Sequence, residues 1–330
     1  MINNLLIYLF LNFLVFFLIS KLSYKLYLVD IPTKRKMHTM PTAYTGGVAL
    51  SIILIFAIFL FDYSNQKLDL ILSIGFLIAI IGFVDDRYNL SVGSKLSLQL
   101  IPIIFLIIFE NLNLNHIGDY NYFNLELNSI SIPFSLLSIL FLINSFNYID
   151  GLNGTLSFLS ISVLIILFYL VPEKSIQLFL ITLLIPMIFF LFFNFSIFKL
   201  PRLFLGDSGS LSIGFIIGFT LIYLANNEIV APILLAFSIS FFVYEFLSIN
   251  LIRILNKKKL FIAGKDHIHH VLYKKNKSLF LTNFLISTTN IIFFILGYLT
   301  FKLINPLTSF ILFIFLFIVF FIFRNKWKKY

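Results

Sequence analysis

The sequence predicts an all-α protein that crosses a membrane many times. Three observations lead there: 60% of the 330 residues are hydrophobic and only 12% charged, apolar runs recur at the length a bilayer demands, and the basic residues gather in alternate connectors. Soluble domains carry about 25% charged residues, so this composition excludes an ordinary soluble globular domain. A helix needs about 20 apolar residues to cross a hydrocarbon core of about 30 Å.

Eleven stretches approach that ruler. Residues 2–22 have no basic leader and no small-residue cleavage site, so they read as a retained first span that begins outside the cell. Spans at 45–61 and 68–84 follow, the second ending just before Asp85 and Asp86. Residues 95–110 carry Pro102, and 130–149 end in the polar positions Asn144 and Asn147. Next come 155–171, and 175–194 with Pro186. Residues 209–225 open just after Asp207, while 229–252 hold Pro232 and Glu245. Spans at 279–300 and 304–323 complete the series. The three prolines are expected to bend their helices without ending them. Glu245 has two readings, burial against another helix or a place in a lipid groove. The whole chain, 1–330, reads as one integral membrane domain.

Lys and Arg accumulate on cytoplasmic loops. Under this threading all 24 except Lys67, Lys174 and Lys302 fall on one side, an asymmetry that a single miscounted span would scramble. The N-terminus is therefore expected outside and the C-terminus in the cytoplasm. A net charge of +10 then follows from topology and anionic lipid without any nucleic acid, and it attracts substrates that carry phosphate. Cysteine is absent, which excludes disulfides and thiolate-held metals.

Five carboxylates, Asp30, Asp85, Asp86, Asp150 and Asp207, emerge on the same cytoplasmic side, and acids that persist near a bilayer mark function. On the other side Asp62, Asp69, Glu110, Asp119, Glu126, Glu173 and Glu228 are scattered through short connectors, the longest being Asn111 to Ser129. Those read as solvated loops, and His116 as a lone exposed histidine.

Asp85 and Asp86 oppose the dipole at a helix C-terminus, so a cation is expected to compensate them. Such a pair holds Mg²⁺, supplies a base from one member while neighbours hold the other, or simply ends a helix in solvent. Asn144, Asn147 and Asp150 recur every third residue along one helix face. That edge reads either as interhelical hydrogen bonding or as substrate contact, the second favoured by Gly151-Leu-Asn153-Gly154, whose glycines let backbone amides approach an anion. In Phe204-Leu-Gly-Asp207-Ser-Gly-Ser210, Asp207 stands at a helix N-terminus. It is there either a plain N-cap or a neighbour to bound phosphate. His267, His269 and His270, beside several lysines, read as phosphate contacts in preference to zinc, since no convincing further ligand accompanies them.

In this order the segments resemble the polyprenyl-phosphate N-acetylhexosamine-1-phosphate transferases, glycosyltransferase family 4, relatives of the phospho-N-acetylmuramoyl-pentapeptide transferases. The resemblance is carried by Asp30-Ile-Pro-Thr-Lys-Arg-Lys-Met-His38 with Pro41, Gly46 and Gly47; by Asp85-Asp86 with Lys95 and Gln99; by Asn144, Asn147 and Asp150-Gly; by Phe204 to Ser210; and by His267-Ile-His269-His270. It implies a phosphotransferase that moves HexNAc-1-phosphate from a UDP-N-acetylhexosamine to undecaprenyl phosphate, releases UMP and starts an envelope polysaccharide such as O-antigen. It also implies Mg²⁺, with Mn²⁺ as a substitute, a cytoplasmic-face site in the bacterial inner membrane, and a homodimer as one assembly. Asp207, with Asn147 and Asp150, is then the expected metal site, which suits a hard cation that prefers oxygen. Asp85 or Asp86 positions or deprotonates the lipid phosphate. Lys95, His38, His267, His269 and His270 neutralise the diphosphate, while Phe204 and Asn153 lie at the nucleotide. Asn153 stands where many relatives have Asp, and Gly264 where the family has a carboxylate before the histidines. The same family holds the muropeptide transferase of peptidoglycan synthesis as the alternative. A transporter is the rival class, but its polar site would lie near the midplane, and here the polar residues gather at one interface.

Overall fold

A computed structural model of the chain describes residues 2–32, 40–120, 123–257 and 267–327. Helix α1 (Ile2–Lys25) leads to an antiparallel ribbon of β1 (Val29–Asp30) and β2 (Thr42–Ala43), with Asp30 opposite Thr42. Helices α2 (Gly46–Leu60), α3 (Gln66–Tyr88) and α4 (Val92–Ile104) follow, α4 continuing into a wide π turn over Phe105–Phe109. A hairpin of β3 (His116–Asp119) and β4 (Asn124–Glu126) precedes α5 (Ser131–Ile149), α6 (Thr155–Leu170) and α7 (Lys174–Asn194). The remainder is α8 (Gly206–Asn226), α9 (Pro232–Ser238), α10 (Ser240–Leu255), α11 (Ile268–Asn276), α12 (Leu279–Leu303) and α13 (Pro306–Trp327).

Each expected span has its helix. Among the described residues eight helices are long and apolar enough to cross a membrane, α9 and α10 form a bent pair, and α2 and α6 are shorter apolar helices. The fold is therefore the expected all-α, multi-span architecture. Two boundaries differ in ways that matter for the site. Asn65 caps α3 by accepting from the Lys67 N–H, and α3 then runs past the expected span to Tyr88, so Asp85 and Asp86 lie in its last turn, at the helix C-terminus expected of them. Ser91 caps α4 by accepting from the Ser94 N–H at 3.1 Å, which puts Lys95 in the first turn.

Helix α8 is the centre of the bundle. Its apolar stretch is buried throughout, with α2, α3 and α5 packed around it. Small residues make that possible, because without a hydrophobic drive between helices in lipid, close backbone approach supplies the attraction. Ser212 Oγ donates to the Gly75 carbonyl of α3 at 2.9 Å. Gly47 of α2 faces Gly209 so closely that a Cβ on Gly47 would fall 1.9 Å from the Gly209 nitrogen.

The prolines behave differently from one another. Pro186 stays inside α7, and Pro102 stays inside α4 just ahead of the π turn. Pro232, expected to bend a span, instead occupies the first turn of α9, where its missing N–H costs nothing. The bend falls seven residues later, at Ile239, and measures 71°. Asn290 of α12 fills the break: its Oδ1 accepts from the Phe241 N–H at 3.1 Å and the Ser240 hydroxyl at 3.2 Å, and its Nδ2 donates to the Ser238 carbonyl at 2.9 Å. A broken helix inside a bilayer persists only where neighbours satisfy the freed backbone groups in this way.

The end of the bundle away from the site also departs from expectation. Much of the connector from Asn111 to Ser129 is the β3–β4 hairpin, with His116 half-buried opposite Glu126. Together with the end of α8, the start of α9 and the α12–α13 turn it lines an open cavity of about 870 Å³.

Candidate active site

The polar residues converge where α3 and α5 end and α4 and α8 begin. The start of α8 is set by the ribbon. Ala43 accepts from the Phe204 N–H at 2.7 Å, and the Gly46 and Gly47 N–H groups donate to the Phe204 and Leu205 carbonyls at 2.9 and 2.8 Å. Gly206 then turns the chain at φ +73, and a side chain there would meet Tyr44 O at 2.4 Å and Asp86 Oδ2 at 2.6 Å. Only glycine takes this conformation in this space without strain. Phe204 itself is half-buried beside the turn.

Asp86 reaches from α3 to that turn. Its Oδ1 accepts from the Asp207 N–H at 3.0 Å and its Oδ2 from the Ser208 N–H at 3.2 Å. The first N–H groups of a helix have no partner of their own, so Asp86 caps α8 from a different helix. The capping role open to Asp207 is thus filled by another residue, and the Asp207 side chain is released into the cleft. There it meets Lys95 Nζ, while Asn147 Nδ2 donates to Asp207 Oδ1 and to Ser210 Oγ, both at 2.9 Å. Lys95 also pairs with Asp85 Oδ2 at 2.8 Å, and Asp85 Oδ1 accepts from the Leu90 N–H at 2.8 Å.

The paired acids are therefore not equivalent. Asp85 holds the expected cation, whereas Asp86 meets the positive end of α8, which compensates it through the helix dipole. Asp150 ends α5 nearby. Burial, and then the charge of Asp207, push its carboxyl up to about 7. Asn144, by contrast, donates to its own helix at Leu140 O, 2.7 Å away, and stays out of the cluster. The polar edge read at this helix end thus delivers Asn147 and Asp150 but not Asn144. Among the described residues no three His, Asp or Glu side chains form a ready-made metal cage.

The histidines approach from the other side. Helix α11 starts at Ile268, whose N–H donates to Glu245 Oε1 of α10 at 2.8 Å, so Glu245 is buried against another helix and is not in a lipid groove. The His267 and His269 rings stack at 5.5 Å, and Tyr148 meets the His267 ring edge-on at 5.1 Å. His269 departs from the expectation of a cationic phosphate contact. Its ring is fully buried, and a Cβ on Gly151 would fall 2.1 Å from its Nε2. Burial first, then His270 and His267, hold its pKa well below the usual histidine value, so the ring is neutral. It packs under the loop that carries Asp150. Asn153 lies in that same loop, with its carbonyl pinned by Asn283 Nδ2 of α12 at 2.8 Å. His38 falls outside the described residues, as does Gly264.

Sequence reasoning undervalued two residues. Gln99 lies one turn beyond Lys95, fully buried, with neither amide atom hydrogen-bonded among the described residues; its spacing from Lys95 was the available signal. Ser210 shares Asn147 with Asp207, a contact visible only once α5 and α8 are brought together.

The model of the family described as Glycosyl transferase family 4 matches residues 68–225, a segment that contains Asp85, Asp86, Lys95, Asn147, Asp150 and Asp207. The chain is 25% identical over 275 residues to the undecaprenyl-phosphate alpha-N-acetylglucosaminyl 1-phosphate transferase of Escherichia coli O157:H7, covering 81% of this chain and 75% of that protein. It is 28% identical over 265 residues to the probable undecaprenyl-phosphate N-acetylglucosaminyl 1-phosphate transferase of Bacillus subtilis (strain 168), covering 77% and 72%. To the Yersinia pestis protein named as the first of these it is 26% identical over 281 residues, covering 82% and 76%. The family resemblance read from the motifs is borne out.

Proposed function

We propose, starting from a chain that is a relative of glycosyl transferase family 4, that this protein is a phosphotransferase. It moves N-acetylhexosamine-1-phosphate from a UDP-sugar to undecaprenyl phosphate, and so begins an envelope polysaccharide such as O-antigen. The observation that carries this reading is the cluster in which Asp207 meets both Lys95 and Asn147 at the N-terminal end of α8, with Asp85 on the same lysine.

The reaction joins a lipid phosphate oxygen to the sugar-bearing phosphorus and breaks the bond from that phosphorus to the bridging oxygen, which leaves with UMP. Two phosphate-bearing anions must therefore meet close to low dielectric, where their repulsion is severe. The cluster's own charge is fitted to a cation. Asp85 and Asp207 share one ammonium, Lys95, with Asp86 on the backbone of the same turn and Asp150 near enough to feel the charge of Asp207, so oxygen donors predominate. That donor set suits Mg²⁺, with Mn²⁺ as a substitute. Asp207 and Asn147 would hold the ion, with Asp150 beside them, and when bound it would supply charge neutralisation to the diphosphate. Asp85, free of the helix cap, is the carboxylate placed to orient the incoming lipid phosphate and accept its proton. Asp86 acts one step back, by fixing the turn that aims Asp207. Lys95 pairs with both Asp85 and Asp207 and offers its charge to the substrate phosphates. The Lys- and Arg-rich connectors at these helix ends support a cytoplasmic site.

Purified protein given undecaprenyl phosphate, Mg²⁺ and separate UDP-GlcNAc, UDP-GalNAc and UDP-MurNAc-pentapeptide tests this. Release of UMP that needs the lipid and stops with EDTA is expected with a simple UDP-HexNAc. Turnover of the pentapeptide donor alone would move the protein to the peptidoglycan branch, and release of no UMP from folded protein with any donor would overturn the reading.

A further inference from the structure

We propose that Glu245 is a positioning residue for the histidine turn and that Arg324 holds it in place, which makes the last helix, α13, part of the site's architecture. The inference rests on the transferase reading above for its consequence, but its geometry stands separately.

Helix α11 has nine residues, and its N-cap, His267, makes no side-chain cap bond. A helix this short is marginal by itself, and its first N–H groups need acceptors. Glu245 Oε1 supplies one by accepting from the Ile268 N–H at 2.8 Å, and the same oxygen stands 3.8 Å from His267 Nδ1. Glu245 is only 1% exposed. A buried carboxylate is tolerated only where an opposite charge compensates it. Arg324 does so as a fork, with Nε on Oε2 at 2.9 Å and Nη2 on Oε1 at 3.3 Å, the planar geometry in which guanidinium fixes a carboxylate's orientation. Helix α13 is in turn seated on α10 by Tyr244, whose hydroxyl donates to the Phe313 carbonyl at 2.7 Å and whose ring lies against Phe317 and Phe320.

A continuous path therefore leads from α13 through Arg324 and Glu245 to the start of α11, then through the stacked His267 and His269 rings to Gly151, next to Asp150. The first polar link ties together residues 79 positions apart. A helix whose role was only to fill space in the bundle would not need to bury an ion pair at its end. This one places a rigid negative group against the backbone of the turn that presents the histidines.

Two double variants separate the cap from the charge. Glu245→Gln with Arg324→Met removes both charges together but keeps a carbonyl oxygen for the Ile268 N–H. Glu245→Leu with Arg324→Met removes the cap as well. In UMP-release assays, the leucine variant is expected to lose about 10- to 100-fold in kcat/KM for UDP-GlcNAc through a higher KM with kcat kept, as when a partner that orients a site residue is lost, while KM for undecaprenyl phosphate changes by less than about twofold. The glutamine variant should recover most of that loss. Wild-type kcat/KM in the leucine variant, or an equal loss toward both substrates, would overturn the proposal.

A second readout does not depend on turnover. Diethylpyrocarbonate modification of the peptide carrying His267, His269 and His270 should be faster by about tenfold in the leucine variant and near wild type in the glutamine variant. Equal rates in all three proteins would sink the positioning role whatever the activity. An inactive wild type that still shows the rate difference would sink only the transferase reading. Should the leucine variant not be recovered folded, Arg324→Lys keeps the charge and loses the fork; it is expected to raise both KM for UDP-GlcNAc and the modification rate, and wild-type values for both would overturn the proposal.

Discussion

Asp207 and Asp86 divide between them two jobs that one aspartate at a helix N-terminus would otherwise have to share. Asp86 occupies the Asp207 and Ser208 N–H groups, which leaves both oxygens of Asp207 for Lys95 and Asn147. The two residues should then fail differently. Asp86→Ala should lower stability by about 1–2 kcal/mol, the usual worth of a helix cap, seen as a fall in melting temperature. Asp207→Asn should retain folding and insertion but lose turnover by about 100-fold or more, since it removes a charge used where phosphate charge is neutralised. Normal UMP release by Asp207→Asn would end its assignment to the metal. Asp150 gives a pH signature. Its carboxyl has an ordinary value of 3.8 and is pushed up to about 7 in the fold. Between those limits the unfolded chain binds fewer protons than the native one, so stability falls as pH rises. Melting temperature measured in EDTA should therefore decline from about pH 4 to pH 7 less steeply for Asp150→Asn than for wild type; identical slopes would mean that Asp150 ionises freely.

At the level of elements, what sequence could supply was the apolar period, and what it could not supply was the means by which a break is tolerated. The spans were legible because each needs its own run of apolar residues, and the polar ends of α3, α5 and α8 stood out against that background. The 71° bend at Ile239 was not legible, because neither Gly nor Pro marks it and Pro232 drew attention to the wrong place. Its cause is 50 residues away in the chain, in the amide of Asn290. Asn290→Ala should leave the Phe241 N–H and the Ser238 carbonyl unpaired in a dry interior, at about 1–3 kcal/mol for each. The comparison is Asn12→Ala, because Asn12 Nδ2 donates to Tyr8 O within its own unbroken helix at 2.8 Å. Equal losses in melting temperature for the two variants would show that the break does not depend on Asn290. Which of Asp85 and Asp86 is held by its neighbours escaped sequence reasoning for a related reason: a cap donated by another helix has no local signature, whereas a cap such as Asn65 or Ser91 sits next to the helix it serves.

For the molecule as a whole, the lysine and arginine distribution and the packing of the helices were derived independently, and together they make one demand. The ends of α3 and α5 and the starts of α4 and α8 share one end of the bundle, while the β3–β4 hairpin and the turn between α12 and α13 share the other, around a cavity with Asp119, Glu126 and Glu228 in its lining. On the proposed topology the first end faces the cytoplasm, where a basic surface would gather an anionic nucleotide donor and the head of a lipid phosphate. A chain without cysteine lends itself to a direct test, since each introduced thiol is the sole target. Tyr88→Cys lies at the site end, where Tyr88 is 73% exposed, and Ser129→Cys lies exposed before α5 at the other. A membrane-impermeant maleimide applied to intact cells should label Ser129→Cys and spare Tyr88→Cys until the membrane is opened. The reverse pattern would put the site outside, away from any cytoplasmic nucleotide sugar, and would remove the transferase reading together with the topology. Labelling of both in intact cells would mean that the two ends share a side, which an odd number of crossings between them forbids and which would break the span order from α3 to α5.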